Sequence, residues 1–219
     1  MVSKDSYKEV TIKNVFLVEA PINQAFPLIC PVMEYKWING WKCNLIHFPN
    51  GKMGNNCVFT EFMSAPFLIG NILGKTKWTT EFYDPKCHQV HFRLDNNISS
   101  SLYKIEMLAE TDNTTKCSLE LTYNPVNSRG YKFIAGIGEN RIKFLLSALG
   151  YMLKHYCETG TIYSSTNNGR HLVYLKDFSK SEKIRLILNK LFLYLYTDHH
   201  KKTFLAGKSV EVRESKQVI

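Results

Sequence analysis

Gly138-Glu139-Asn140-Arg141-Ile142-Lys143-Phe144-Leu145-Leu146-Ser147-Ala148-Leu149-Gly150-Tyr151-Met152-Leu153-Lys154-His155-Tyr156-Cys157-Glu158 is the stretch on which the fold turns. Ile142, Leu145, Leu146, Leu149, Met152, Leu153 and Tyr156 recur at steps of three and four, which on a helix makes one apolar stripe. Arg141, Lys143, Lys154 and His155 are its polar complement, and Gly160 is the expected stop. A helix this long with one apolar face needs a broad apolar surface to lie on.

The residues before it supply that surface. Val10–Glu19 is rich in β-branched residues and predicts a strand ending at Ala20-Pro21, because proline cannot continue a ladder. Ile22 to Trp41 has helical spacing at Ile22, Ala25, Phe26 and Ile29, but Pro27 and Pro31 break it into short pieces. Six further strands are predicted at 43–48, 56–63, 75–83, 88–95, 102–110 and 116–123. All but one of their connections are short enough for hairpins, so the sheet should be antiparallel. The exception, Ser64–Gly74, is an apolar loop expected to act as a lid. The order predicts an α+β fold: a curved antiparallel sheet around a long C-terminal helix, spanning residues 1–160.

The chain has 219 residues, 44% hydrophobic and 21% charged. A chain of that length buries about 70% of its unfolded surface and needs no disulfide or metal staple. After Gly160 the texture changes. Residues 161–219 hold 11 basic and 5 acidic residues, so +6 of the formal charge of +9 lies there. They read as a basic extension with one amphipathic helix over 179–205, carrying Ile184, Ile187, Leu188, Leu191, Phe192 and Leu195 on one face. That face has three settings open to it: the main domain, a second copy in a homodimer, or peripheral contact with an anionic membrane surface. Its stretch 184–196 contains Lys190 and is too short to span a bilayer.

Six cysteines, at 30, 43, 57, 87, 117 and 157, form no metal-ligand or redox spacing. With no apolar N-terminal leader, the expectation is a cytoplasmic chain with reduced thiols. No phosphate-cradling glycine loop, nucleotide fingerprint or nucleophile elbow occurs, so no cofactor is expected. His199-His200 point about 100° apart on a helix and do not suggest a metal site. Basic residues interleaved with aromatics are too sparse to favour nucleic acid.

The element order, with Ala20-Pro21-Ile22 and Cys30-Pro31-Val32-Met33-Glu34-Tyr35-Lys36-Trp37-Ile38-Asn39-Gly40-Trp41, resembles the START-like (SRPBCC) superfamily over residues 8–160. Lys77-Trp78-Thr79-Thr80 and Tyr123-Asn124-Pro125 add to the likeness, which points to bacterial members labelled polyketide cyclase or lipid-transport-like. The resemblance implies a helix-grip fold enclosing an apolar cavity. Members of the superfamily bind lipids, sterols, polyketides and hormones, or catalyse cyclisation in that cavity. It implies a small hydrophobic or amphipathic ligand held between sheet and helix.

The expected ligand-binding residues are Trp37, Trp41, Phe59, Trp78, Phe92, Tyr103, Met107, Tyr123, Leu145, Leu149 and Met152. Phe82, Ile105, Leu119 and Leu121 are expected to point the same way. These side chains are large, so a solidly packed interior stands beside the hollow one. An enzymatic alternative requires polar residues converging inside, with Glu34, His91, Arg93 and Tyr123 as candidates. If Val90, Phe92 and Leu94 face inward, strand alternation puts His91 and Arg93 in solvent.

Overall fold

The protein is described by a computed structural model over residues 8–38, 41, 43–61 and 76–163. The expected lid at Ser64–Gly74 and the extension from residue 164 onward lie outside the described residues. No helix among the described residues is long and apolar enough to cross a membrane.

Seven strands form one antiparallel sheet: β1 (Val10–Val18), β2 (Cys43–His47), β3 (Val58–Glu61), β4 (Thr76–Asp84), β5 (Gln89–Asp95), β6 (Ser100–Thr111) and β7 (Thr114–Tyr123). Their order across the sheet is β1-β7-β6-β5-β4-β3-β2. Strands 2 to 7 therefore pair with their sequence neighbours, through short connections except between β3 and β4, and β1 closes the far edge against β7. Between β1 and β2 lie helix α1 (Ile22–Ala25) and two 3₁₀ turns, Phe26–Ile29 and Glu34–Lys36. Pro27 opens the first of these turns, so proline breaks the segment into short pieces as the sequence requires.

The long helix begins earlier than its apolar stripe. Helix α2 (Ser128–Phe133) starts at Asn127, whose side chain accepts hydrogen bonds from the backbone N–H groups of Arg129 and Gly130 at 3.0 and 3.1 Å. A π-helical turn, Ile134–Gly138, joins α2 to α3 (Glu139–Thr159). Gly160 ends α3 in the left-handed region, φ +68°, and its N–H bonds the Tyr156 carbonyl at 2.7 Å.

Alternation sorts the strands by face. Val90 and Phe92 on β5, Tyr103, Ile105 and Met107 on β6, and Cys117, Leu119, Leu121 and Tyr123 on β7 are all buried. His91 and Arg93 lie on the opposite face. There Arg93 grips Glu81 through two parallel hydrogen bonds of 2.9 and 3.0 Å, and the His91 ring lies 4.9 Å from that of Phe82. Phe82 departs from expectation. A bulge between Thr80 and Phe82 places one unpaired residue, Glu81, in β4, so Phe82 turns outward and is 38% exposed. Tyr83 takes the inward place and its ring stacks on Phe26 at 6.0 Å.

Helix α3 does not lie evenly over the sheet. It rests on the β1 edge, where Gly150 lets the backbones approach: a β-carbon there would stand 2.8 Å from Phe16 and 2.9 Å from Asn14. Asn14 Nδ2 donates to the Leu146 carbonyl at 3.0 Å, and Lys154 Nζ donates to the Leu17 carbonyl at 3.1 Å. Glu158, in turn, accepts from the Glu19 backbone N–H at 3.3 Å. All four anchors fall on one edge strand and the residue beyond it. A helix pinned at one edge of a curved sheet cannot also close on the middle of that sheet, and the interior stays open there.

Candidate functional site

The open interior is a cavity of about 90 Å³. A single water needs roughly 10–15 Å³ on this measure, so the space admits something larger than one solvent molecule. Its floor is the inner face of β3 to β7, and its roof is Ile142, Leu145, Leu146, Leu149 and Leu153 of α3. The third wall is the segment between α1 and β2, contributing Ile29, Glu34, Trp37, Ile38 and Trp41.

That wall is held by its own tryptophans. Trp37 Nε1 donates to the Leu28 carbonyl at 2.8 Å, and Trp41 Nε1 donates to the Pro31 carbonyl at 2.9 Å. The interruptions that deprive this stretch of a regular helix leave carbonyls unpaired, and the indoles satisfy two of them. Each indole thus pins the segment with its N–H and presents its ring to the cavity.

Strand register shows how polarity is distributed. At one end of the sheet Glu61 pairs with Thr76, and the β5–β6 turn brings Asn96 and Ser99 to the same end. These four residues and the neighbouring Ser101 are the polar part of the floor. Two or more residues further along, the floor is Tyr103 and Leu121, then Ile105 and Leu119. One end of the cavity is therefore polar and the other is a hydrocarbon surface.

Two carboxyls set the electrostatics. Glu34 and Glu61 keep part of their surface, but that surface faces the cavity rather than bulk water, so enclosure by protein governs their ionisation. Burial pushes Glu34 well above its ordinary range, and the neighbouring Glu61 adds to the shift. Burial raises Glu61 to about 7 from 4.5. The Trp78 indole N–H lies toward the Glu61 carboxyl and offsets some of that rise, but the pair misses hydrogen-bond geometry and Trp78 Nε1 has no partner. Tyr103 is 6% exposed, its phenol is raised by burial and by Glu34, and its hydroxyl makes no hydrogen bond among the described residues. Among the described residues that line the cavity there is no lysine, arginine or histidine.

Of the ligand-binding residues expected from sequence, Trp37, Trp41, Trp78, Tyr103, Tyr123, Leu145 and Leu149 line the cavity. Phe59, Phe92, Met107 and Met152 do not, although each is at most 2% exposed. Phe59 stacks on Trp78 at 5.4 Å and Phe92 stacks on Tyr103 at 6.5 Å, so both back the lining rather than form it. Met107 pairs with Cys117 at the closed end of the sheet. Among the four polar candidates, Glu34 and Tyr123 reach the cavity while His91 and Arg93 lie on the outer face. Glu61 was not anticipated. Its signal was Phe59-Thr60-Glu61, where the period of two carries an inward phenylalanine to an inward glutamate. Among the described residues no cluster of three or more His, Cys, Asp or Glu is disposed to hold a metal ion, and the six cysteines are free.

No family model matches the sequence, and no curated protein matches it. Solved structures do. Norcoclaurine synthase from Thalictrum flavum, in complex with dopamine and hydroxybenzaldehyde, is 11% identical with a TM-score of 0.54, covering 74% of this chain and 94% of its own. A START superfamily protein from Mycobacterium smegmatis is 12% identical with a TM-score of 0.54, over 69% of this chain and 99% of its own. The di-domain aromatase/cyclase BexL of the BE-7585A biosynthetic pathway is 14% identical with a TM-score of 0.52, over 73% of this chain and 48% of its own. Identities this low speak to architecture alone. The sheet that grips one long C-terminal helix is thus the START-like helix-grip fold.

Proposed function

We propose that the protein binds a small amphipathic molecule in the cavity between the sheet and α3. The polar group lies toward the end lined by Glu61, Thr76 and Asn96, with Glu34 on the wall and Tyr103 next along the floor, and the apolar body lies against Ile105, Leu119, Leu146 and Leu149. The observation that carries this reading is the hollow interior with its polar lining gathered at one end. Affinity comes from apolar surface leaving water, about 0.8 kcal/mol per buried methylene before association costs. Native mass spectrometry of the purified full chain, with displacement of an environment-sensitive fluorescent probe, tests the reading. One guest or one displaceable probe per chain is expected. Absence of both, or a probe whose binding is unchanged when Leu149→Trp fills the cavity, refutes it.

A second reading has its own support. Glu61 is held near 7 beside Glu34, which in turn bears on Tyr103, and this suits a carboxyl that must both take and give a proton at neutral pH. In that case the cavity processes an aromatic or polyketide-like guest, as a cyclase does. Turnover of such compounds that disappears in Glu61→Gln, while their binding persists, supports catalysis; binding without turnover refutes it.

A further inference from the structure

Two carboxyls face a cavity whose described lining offers them no positive partner. Among the described residues the lining holds no basic group, and the cations of the described sheet lie on its outer face, where Lys77 meets Asp95, Arg93 meets Glu81, and Lys104 meets Glu120. Arg141 of α3 is not among the lining residues. Among the described residues, the titratable groups bearing on the pair are the thiols of Cys30 from the wall segment and Cys43 from β2 and the Tyr103 phenol from β6, all acidic and all raised. Uncompensated buried carboxylates are costly, and a fold that only needed a filled core would be better served by apolar residues there.

A second observation is independent of the acids. The Tyr103 hydroxyl, on a side chain more than nine-tenths buried, lines the same cavity and has no hydrogen-bond partner among the described residues. Three indoles, Trp37, Trp41 and Trp78, share the lining with it. A phenol oxygen able to accept a hydrogen bond, and electron-rich rings, are the groups an ammonium meets well.

We infer that the guest is an amphipathic organic cation, a protonated amine on an apolar body, whose ammonium sits between Glu34 and Glu61. This rests on the binding reading given above. An acid or a phosphate ester would place like charges together in the same enclosed space. A neutral alcohol would leave any ionised carboxylate there uncompensated. The ammonium supplies the missing charge and donates to both carboxyls and to the Tyr103 oxygen. A cation at that point also favours ionised Glu61, so binding near pH 6.5 expels a proton from the protein.

The test uses the full chain, tryptophan fluorescence, and three probes of equal chain length: octylamine, octanol and octanoate, at pH 8. Octylamine is expected to bind about tenfold or more tightly than octanol, and octanoate more weakly than either. In the double variant Glu34→Gln/Glu61→Gln the preference for the amine over octanol falls to within about twofold, and a cooperative thermal melt shows that the variant is folded. Calorimetry at pH 6.5 in buffers of different ionisation heat should report proton release with octylamine and none with octanol. Octanol or octanoate binding as tightly as the amine, or an amine preference that survives the double variant, overturns the assignment and leaves the cavity reading standing. If none of the three binds, the cavity reading falls and the amine assignment with it.

Discussion

Replacing Gly150 by alanine tests the idea that α3 is pinned to one edge of the sheet. The new β-carbon would stand 2.8 Å from Phe16 Cε1 and 2.9 Å from both Phe16 Cδ1 and Asn14 Nδ2. Neither neighbour yields freely: Asn14 is engaged with the Leu146 carbonyl, and the Phe16 ring is half-buried against the core. Forcing a methyl into packed space costs about 1–3 kcal/mol, and loss of the Asn14 bond costs about 1 kcal/mol more. Against this, alanine gains about 1 kcal/mol over glycine in a helix interior. The net is a loss of about 1–3 kcal/mol. Gly136, in the π-helical turn, is the control: nothing lies within 4 Å of an added β-carbon, so Gly136→Ala should keep the propensity gain without a clash. Urea unfolding followed by tryptophan fluorescence measures both variants, and each kcal/mol moves Tm by about 2–4 °C in a domain of this size. A Gly150→Ala protein as stable as Gly136→Ala would refute the close contact and the account of the cavity built on it.

Filling the hollow should separate binding from stability. Leu149→Trp is expected to abolish probe binding at a stability cost below about 1.5 kcal/mol, because the added volume enters empty space. Glu61 has a folded pKa near 7 against 4.5 ordinarily, so its folded state holds the proton more tightly and stability falls as pH rises from about 4.5 to 7. Glu61→Gln should therefore match the parent at pH 4 and exceed it by up to about 3 kcal/mol at pH 8, in thermal melts across that range. Trp37→Phe leaves the Leu28 carbonyl without its donor and should lower stability by about 1–3 kcal/mol in urea titrations. Arg93→Ala removes a half-exposed outer-face pair and should cost about 1 kcal/mol or less, with probe affinity unchanged.

The architecture was readable because its signals are periodic. β-Branched runs, partial alternation and the turns between them placed the strands, and the three- and four-residue steps from Ile142 to Tyr156 placed the helix. What alternation cannot report is depth. Phe92 and Tyr103 are equally inward by period, and only the helix's lean toward β1 decides that one faces the void and the other lies behind it. The early start of the helix was hidden because residues 128–138 carry three glycines and no stripe, although Asn127 marked the cap. Phe82 was misplaced because a bulge leaves no mark in the alternation of side chains before it. Glu61 was overlooked for a different reason: a charged residue at a strand end reads as solvated, and only the enclosed cavity makes it otherwise.

The irregularity at Glu81 has a wider consequence. One surplus residue divides β4 into two lengths with opposite assignments. The first offers Thr76 and Trp78 to the guest chamber, and the second sends Tyr83 to clasp Phe26 beneath the opening helix. Drawing that residue into the ladder would swap the duties of everything downstream: Phe82 would stand opposite Val90 and Tyr83 would face water. The chamber takes only Thr76 and Trp78 from this strand, and beyond Thr80 it is a backbone insertion rather than any side chain that decides which residues turn inward.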